Sequence, residues 1–194
     1  ITLVDLVGDG IRLKLIAYEQ SNIETENLIL RPYTLADSQM LTKLAGDIRV
    51  AKTTLNIPHP YSDDLAKEWI STCEHNWLNR TGISYAVILK SCSQLVGTAS
   101  LVSISGEEAE LGYWIGHEFW GKGYGTEAAS ALVQQAFEKF SISVIIAEHL
   151  SSNPASGKVM TKIGMVKVDD INKRDRNGLL SQIEVYKIKA ARNS

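Results

Sequence analysis

Ala109-Glu-Leu-Gly-Tyr-Trp-Ile-Gly116, followed after His117-Glu118-Phe119 by Trp120-Gly-Lys-Gly-Tyr-Gly-Thr-Glu127, decides the fold. The first run reads as a strand. The second opens a helix in which Tyr124, Ala128, Leu132, Val133, Ala136, Phe137 and Phe140 fall on one face. Glycines at 121, 123 and 125 keep the strand-to-helix turn free of Cβ atoms, so main-chain N–H groups can close around a diphosphate. The helix start adds its positive dipole end. A nucleotide-like cofactor is the functional reading of this turn, and a tight turn with close helix packing is the structural one.

Outward from this stretch, Val144–Leu150 reads as a buried strand and completes a βαβ crossover. Upstream, Ser84–Lys90, Leu95–Ser105 and 109–116 are separated by short polar or glycine turns, which predicts an antiparallel meander. From Glu26, Leu28 and Leu30 form a short strand that stops at Arg31-Pro32, and Thr34 and Asp37 cap a helix carrying Leu41, Leu44 and Ala45. Residues 51–61, with Pro58 and Pro60, are expected to be irregular. Asp63 and Asp64 open a second helix whose buried face is expected to carry Leu65, Trp69, Ile70, Cys73, Trp77 and Leu78. Pro154 to Gly164 fits a short helix, with strands expected at about 165–169 and 182–189. Residues 1–20 alternate about Gly8-Asp9-Gly10, with Leu13, Leu15 and Ala17 opposite Arg12, Lys14 and Ile16, and predict a hairpin.

A length of 194 residues with 44% hydrophobic content suits one domain over 23–194, with 1–22 as an N-terminal hairpin extension. A net charge of −2 argues against direct nucleic-acid binding, and no apolar run is long enough to cross a membrane. Cys73 and Cys92 lack metal-ligand spacing, as do His59, His75, His117 and His149, so no metal is expected. Signal-peptide features are not evident at the N-terminus, and a cytoplasmic location is expected.

Gly123-Tyr-Gly125-Thr-Glu-Ala128 also satisfies the dinucleotide fingerprint, with Glu148 near the distance of a ribose-binding acid. The residues between strand and glycines, the meander before them and the short chain after Leu150 argue against a doubly wound sheet.

The sequence resembles the GNAT superfamily of N-acetyltransferases, in the branch that acetylates N-termini of ribosomal proteins. The resemblance runs from about Thr25 to Lys189. It is carried by Thr25-Glu-Asn-Leu-Ile-Leu-Arg-Pro32, the strand and glycine turn above, Asn153-Pro-Ala-Ser156, and Lys162-Ile-Gly-Met165. The family's acyl-CoA motif Q/R-x-x-G-x-G/A falls on Trp120, Gly123 and Gly125, with Trp120 a departure at its first position. The resemblance implies a mixed α/β fold with a mostly antiparallel central sheet, splayed strands and flanking helices. It implies acetyl-CoA as cosubstrate, with the diphosphate over Gly121, Lys122, Gly123, Tyr124, Gly125 and Thr126. The pantetheine is then expected between strands 109–116 and 144–150, near Trp114, Ile115 and Asn153.

Acetyl transfer from a thioester needs an unprotonated amine and a proton for the departing thiolate. Glu110 shares a strand face with Gly112 and Trp114, and is the candidate base if that face lines the cleft; a solvent-facing carboxylate is the alternative. Asn153 and Ser156 can simply cap a helix. In the resembling branch the Asn contacts pantetheine and the Ser lies near the sulfur, so Ser156 becomes the candidate proton donor. Other branches place a tyrosine where this chain has Met160. In the resembling family the connection between the first two helices borders the acceptor site, so the resemblance makes His59 and Tyr61 acceptor-site candidates, while Trp69 and Trp77 are expected in the core.

The implied reaction is direct transfer to a primary amine, foremost a protein or peptide N-terminal α-amine, including that of a ribosomal protein. A polyamine or aminoglycoside acceptor and a non-catalytic acyl-CoA-binding regulatory module are the alternatives. A homodimer is a further possibility for the assembly. Loops at 51–62 and 170–181 are expected to choose the acceptor.

Overall fold

The computed structural model describes residues 2–7, 10–15, 19–175 and 178–191, the first two segments as backbone only. Strands β1 (Thr2–Val7) and β2 (Gly10–Leu15) form an antiparallel ribbon apart from the main sheet. The Gly8-Asp9 turn, Ile16 and Ala17 lie outside the described residues. Next come β3 (Ile23–Glu24), β4 (Leu28–Arg31), a 3-10 turn, and helices α1 (Ser38–Ala45), α2 (Ile48–Ala51) and α3 (Asp63–Asn79). The meander is β5 (Ile83–Leu89), β6 (Gln94–Ser105) and β7 (Glu108–Ile115). After it follow α4 (Tyr124–Lys139), β8 (Val144–Leu150), α5 (Pro154–Lys162), β9 (Val166–Arg174) and β10 (Leu180–Lys189).

The eight-stranded sheet runs β3-β4-β5-β6-β7-β8-β10-β9. All its pairs are antiparallel except β7 with β8, which the α4 crossover makes parallel. Its core includes Leu28, Leu30, Tyr85, Leu101, Leu111, Leu132, Ile145, Met160 and Ile183, all essentially inaccessible. The fold is therefore the mixed α/β arrangement that the motifs implied.

The β7–β8 ladder runs from Glu108↔Val144 to Leu111↔Ala147 and then stops. Beyond it, β7 stays paired with β6 and β8 with β10, so the two strands diverge toward their C-terminal ends. A register shift in β6 between Leu101 and Ser103 lies opposite the last paired residues of β7. Such a bulge bends the ladder and increases local twist. The Val102 side chain leans over Gly112, where an added Cβ would lie 2.8 Å from its Cγ1. A side chain at 112 would have to push the half-exposed Val102 aside.

Three local differences from the sequence reading have physical causes. The short α2 was not expected; Asp47 caps it by accepting from the Arg49 N–H at 2.8 Å. On α3 the buried stripe is Ala66, Ile70 and Cys73, while Leu65 and Leu78 are exposed, because the helix meets the sheet through its small and β-branched side. Strand β9 continues through Arg174, so most of the loop expected at 170–181 is strand. Its residues are almost all exposed at the sheet edge, which removes the apolar alternation that would mark a strand.

Two carboxylates tie separate sequence blocks together. Asp37 takes both Arg31 guanidinium nitrogens, at 2.7 and 2.8 Å, and the Thr34 N–H at 2.8 Å. Glu127, in the first turn of α4, accepts from Thr25 Oγ1 at 2.6 Å, the Asn27 N–H at 2.7 Å and Asn27 Nδ2 at 3.1 Å. Burial pushes the Glu127 carboxyl up, but these donors outweigh it and hold its pKa below the usual value. Its stabilising contribution is therefore complete above the ordinary glutamate range and is lost as pH falls through the lowered folded value. Glu127→Ala is expected to cost about 1–3 kcal/mol in urea unfolding at neutral pH. The variant should also lose less stability than the parent on acidification.

Candidate functional site

Where β7 and β8 part, a cavity of about 1150 Å³ opens. It is walled by Glu110, Gly112 and Trp114 from one face of β7 and by Leu111, Tyr113 and Ile115 from the other. Side chains on a strand alternate between faces, so the cavity passes through the sheet at the divergence.

On the α4 side, Gly121 and Gly123 adopt φ of +74° and +85°, a region that disfavours side chains. A Cβ on either would meet open space. The first intrahelical bond of α4 runs from the Glu127 N–H to the Gly123 C=O at 3.0 Å, and no side chain caps the helix. The preceding N–H groups, of 124–126, therefore face the cavity mouth without intrahelical acceptors. Trp120, Gly121, Gly123, Tyr124, Gly125 and Thr126 all border the cavity. The Trp120 indole N–H donates to the Ile115 C=O at 2.6 Å, which fastens the turn to the end of β7. Lys122 is exposed, with its Nζ 5.4 Å from the Phe119 ring centre.

At the start of α5, Asn153 does not cap the helix through its side chain. Its Nδ2 donates to the Thr53 C=O at 3.2 Å and joins α5 to the loop after α2. Ser156 Oγ lies 2.8 Å from the Tyr113 hydroxyl, which also reaches the Ser156 C=O at 3.0 Å. Met160 is buried in the core. His149, also buried, has Nδ1 2.8 Å from the Leu150 C=O and Nε2 3.3 Å from a Glu184 oxygen.

On the opposite face Glu110 is half-buried. Burial raises its pKa above the usual range, the nearby Glu148 carboxylate raises it further, and Lys173 partly offsets both. Lys173 Nζ binds both Glu148 oxygens, at 2.5 and 2.7 Å. Glu68, Trp69 and Tyr61 border the cavity on this side, whereas His59 is exposed and is not among its walls. Trp69 packs edge-on against Tyr33 with ring centres 4.9 Å apart. Among the described residues, no group of three or more His, Cys, Asp or Glu side chains is placed to hold a metal ion, and no helix is long and apolar enough to cross a membrane.

The structure thus brings Glu110, Trp114, Ile115, Trp120, the glycine turn, Asn153, Ser156 and Tyr61 to one cavity, and leaves His59 and Lys122 outside its walls. Sequence reasoning missed Tyr113, Glu127 and Lys173. Tyr113 lies on the strand face of Leu111 and Ile115, where alternation reads as core. Lys173 falls in the stretch taken for a loop. The pairing of Glu127 with Thr25 and Asn27 spans a sequence separation that no local pattern reveals.

A family model described as an acetyltransferase (GNAT) domain matches residues 27–166. The N-acetyltransferase p20 of Bacillus licheniformis is 30% identical over 146 residues, 74% of this chain and 81% of that protein. The FsC-acetyl coenzyme A-N(2)-transacetylase of Aspergillus fumigatus is 35% identical over 170 residues, covering 80% of this chain and 70% of that protein. A Salmonella typhimurium acetyl transferase, described as modifying the N-terminal serine of ribosomal protein L7/L12, superposes with a TM-score of 0.78 at 16% identity. That superposition covers 88% of this chain and 100% of the other, and it is a likeness of fold.

The charges around Glu110 make a signed prediction. Glu148→Gln should lower the Glu110 pKa, and Lys173→Met should raise it, as read from carboxyl carbon shifts in an NMR titration. Movement in the opposite directions would show that these groups do not set its field.

Proposed function

This chain belongs to the GNAT acetyltransferase family, and we propose that its acceptor is the α-amine of a protein or peptide N-terminus. It is an acetyl-CoA-dependent N-acetyltransferase. The observation that carries the reading of its site is the single cavity through the sheet. An uncapped helix start with Cβ-free space lies on one side of that cavity, and a half-buried carboxylate lies on the other.

The chain's residues fit the cosubstrate. The N–H groups of 121–126 and the α4 dipole suit a diphosphate, while the edge of β7 near Trp114 and Ile115, released from β8, suits the amides of pantetheine. Asn153 borders the same channel. Bound acetyl-CoA supplies the activated acetyl group. Glu110, with its raised pKa, takes a proton from the acceptor ammonium directly or through water, and Ser156 offers its hydroxyl proton to the departing sulfur. Glu110 faces the acceptor ammonium beside the Glu148–Lys173 ion pair, and Tyr61 and Trp69 border its approach.

The fold neighbour that modifies an N-terminal serine supports the α-amine reading. A small amine, such as a polyamine or aminoglycoside, is the second reading, favoured by the 35% identical relative named as an N(2)-transacetylase. We read 23–194 as the catalytic domain and 1–22 as its extension. The free thiols of Cys73 and Cys92 suit a reducing cytoplasm. A homodimer is the assembly to test by sedimentation.

Thiol release from acetyl-CoA with panels of peptides and small amines, followed by mass spectrometry, is expected to show acetylated peptide N-termini. Acetylation confined to small amines would overturn the acceptor assignment. Gly123→Val should abolish the acetyl-CoA thermal shift in a protein that remains folded by circular dichroism, because any side chain there strains the turn that presents the amides. Glu110→Gln should lower kcat/KM by about 100-fold. Binding without turnover, untouched by that substitution, would instead mark a regulatory acyl-CoA module.

A further inference from the structure

The position at which related branches carry a tyrosine holds Met160 here, buried in the core. Yet a tyrosine hydroxyl does reach this part of the cavity from a different element. Tyr113 projects from the part of β7 that has parted from β8 while still paired with β6, and its ring packs beneath the first turn of α4. The Cβ position of Gly125 lies 3.9 Å from its Cδ2. Its hydroxyl ends 2.8 Å from Ser156 Oγ and 3.0 Å from the Ser156 C=O, and both residues border the cavity.

We propose that Tyr113 is a positioning residue for acetyl transfer, holding the Ser156 hydroxyl in the orientation from which it meets the departing sulfur. The proposal rests on the role given to Ser156 above. Two hydroxyl protons are shared among three oxygens, so two arrangements exist. In the closed one, Tyr113 donates to the Ser156 C=O and Ser156 donates to Tyr113. In the open one, Tyr113 donates to Ser156 Oγ and frees the serine proton for the cavity. The arrival of an acceptor for that proton selects the open arrangement.

During transfer the amine nitrogen forms its bond to the acetyl carbon, the C–S bond breaks and its electron pair leaves on sulfur. The serine proton passes to that sulfur, the newly acylated nitrogen gives up its remaining extra proton to water, and water relays that proton to Oγ. The Tyr113 hydrogen bond to Oγ stabilises the negative charge that develops there. Burial pushes the Tyr113 phenol up to about 12, against the opposing effect of Ser156, so the phenol stays protonated and remains a donor at working pH.

Tyr113→Phe keeps the ring under α4 and removes only the hydroxyl. With the full chain, acetyl-CoA and an accepted amine, kcat for this variant is expected to fall about 10-fold. Acetyl-CoA affinity and the thermal midpoint should match the parent. Ser156→Ala should fall about 100-fold, and the double variant should be no slower than Ser156→Ala alone, because Tyr113 acts through the serine. Parent-like kcat in Tyr113→Phe, beside a slow Ser156→Ala, would overturn the tyrosine's role alone. Additive losses in the double variant, or a loss of acetyl-CoA affinity without a loss of kcat, would do the same. Parent-like kcat in Ser156→Ala would remove the serine's role and this proposal together.

Discussion

Main-chain N–H and C=O groups must find partners when a strand is buried, and in this protein β7 and β8 stop supplying them to each other after Leu111 and Ala147. Each strand keeps its outer neighbour, so the divergence is paired on both flanks and open only between them. The two strands are parallel, so both open ends point the same way, and the helix that follows each strand begins there. The N-terminus of α4 and that of α5 therefore converge on one wedge. In the proposed reading, the free edge and the helix starts together suit an elongated, anionic ligand with amides of its own. The bulge beside Val102, the bare Gly112 beneath it and the two positive-φ glycines serve this one geometry.

The same strand also separates the chemistry by charge. Period-two alternation sends Tyr113 toward α4 and α5, where hydroxyls and backbone amides gather, and sends Glu110 to the opposite face beside Glu148 and Lys173. In the proposed reaction, donor and acceptor then approach from opposite faces and meet only in the gap. A continuous ladder would have kept the two faces apart. On the Glu110 face the Lys173 ammonium rests on Glu148 and holds that carboxylate in place.

Features written in local sequence were legible, and features made by long-range contact were not. Three alternating glycines after an alternating strand disclose the turn, because only their backbone conformation matters. Glu110 stands out as a carboxylate in a strand otherwise apolar. Tyr113 gives no such signal, since an aromatic on the inner strand face is what a core requires; its partner Ser156 belongs to another element. Lys173 lies on an exposed edge strand whose polar residues carry no periodicity. The Thr25 and Glu127 blocks were each recognisable, but the hydrogen bonds joining them appear only once β3–β4 is docked beside α4.

Glu110 and Glu127 show how context divides one residue type between two tasks. Burial raises the pKa of both. At Glu127 the donors Thr25 and Asn27 more than compensate, so the carboxylate stays charged and serves as a strut between the glycine turn and the first hairpin of the sheet. At Glu110 the nearest carboxylate adds to the burial effect, and Lys173, seated on Glu148, offsets the two only in part. A charged carboxylate satisfied by three donors has little reason to accept a proton. One facing another carboxylate in a half-buried gap gains by accepting one, which is the property an ammonium-deprotonating base requires.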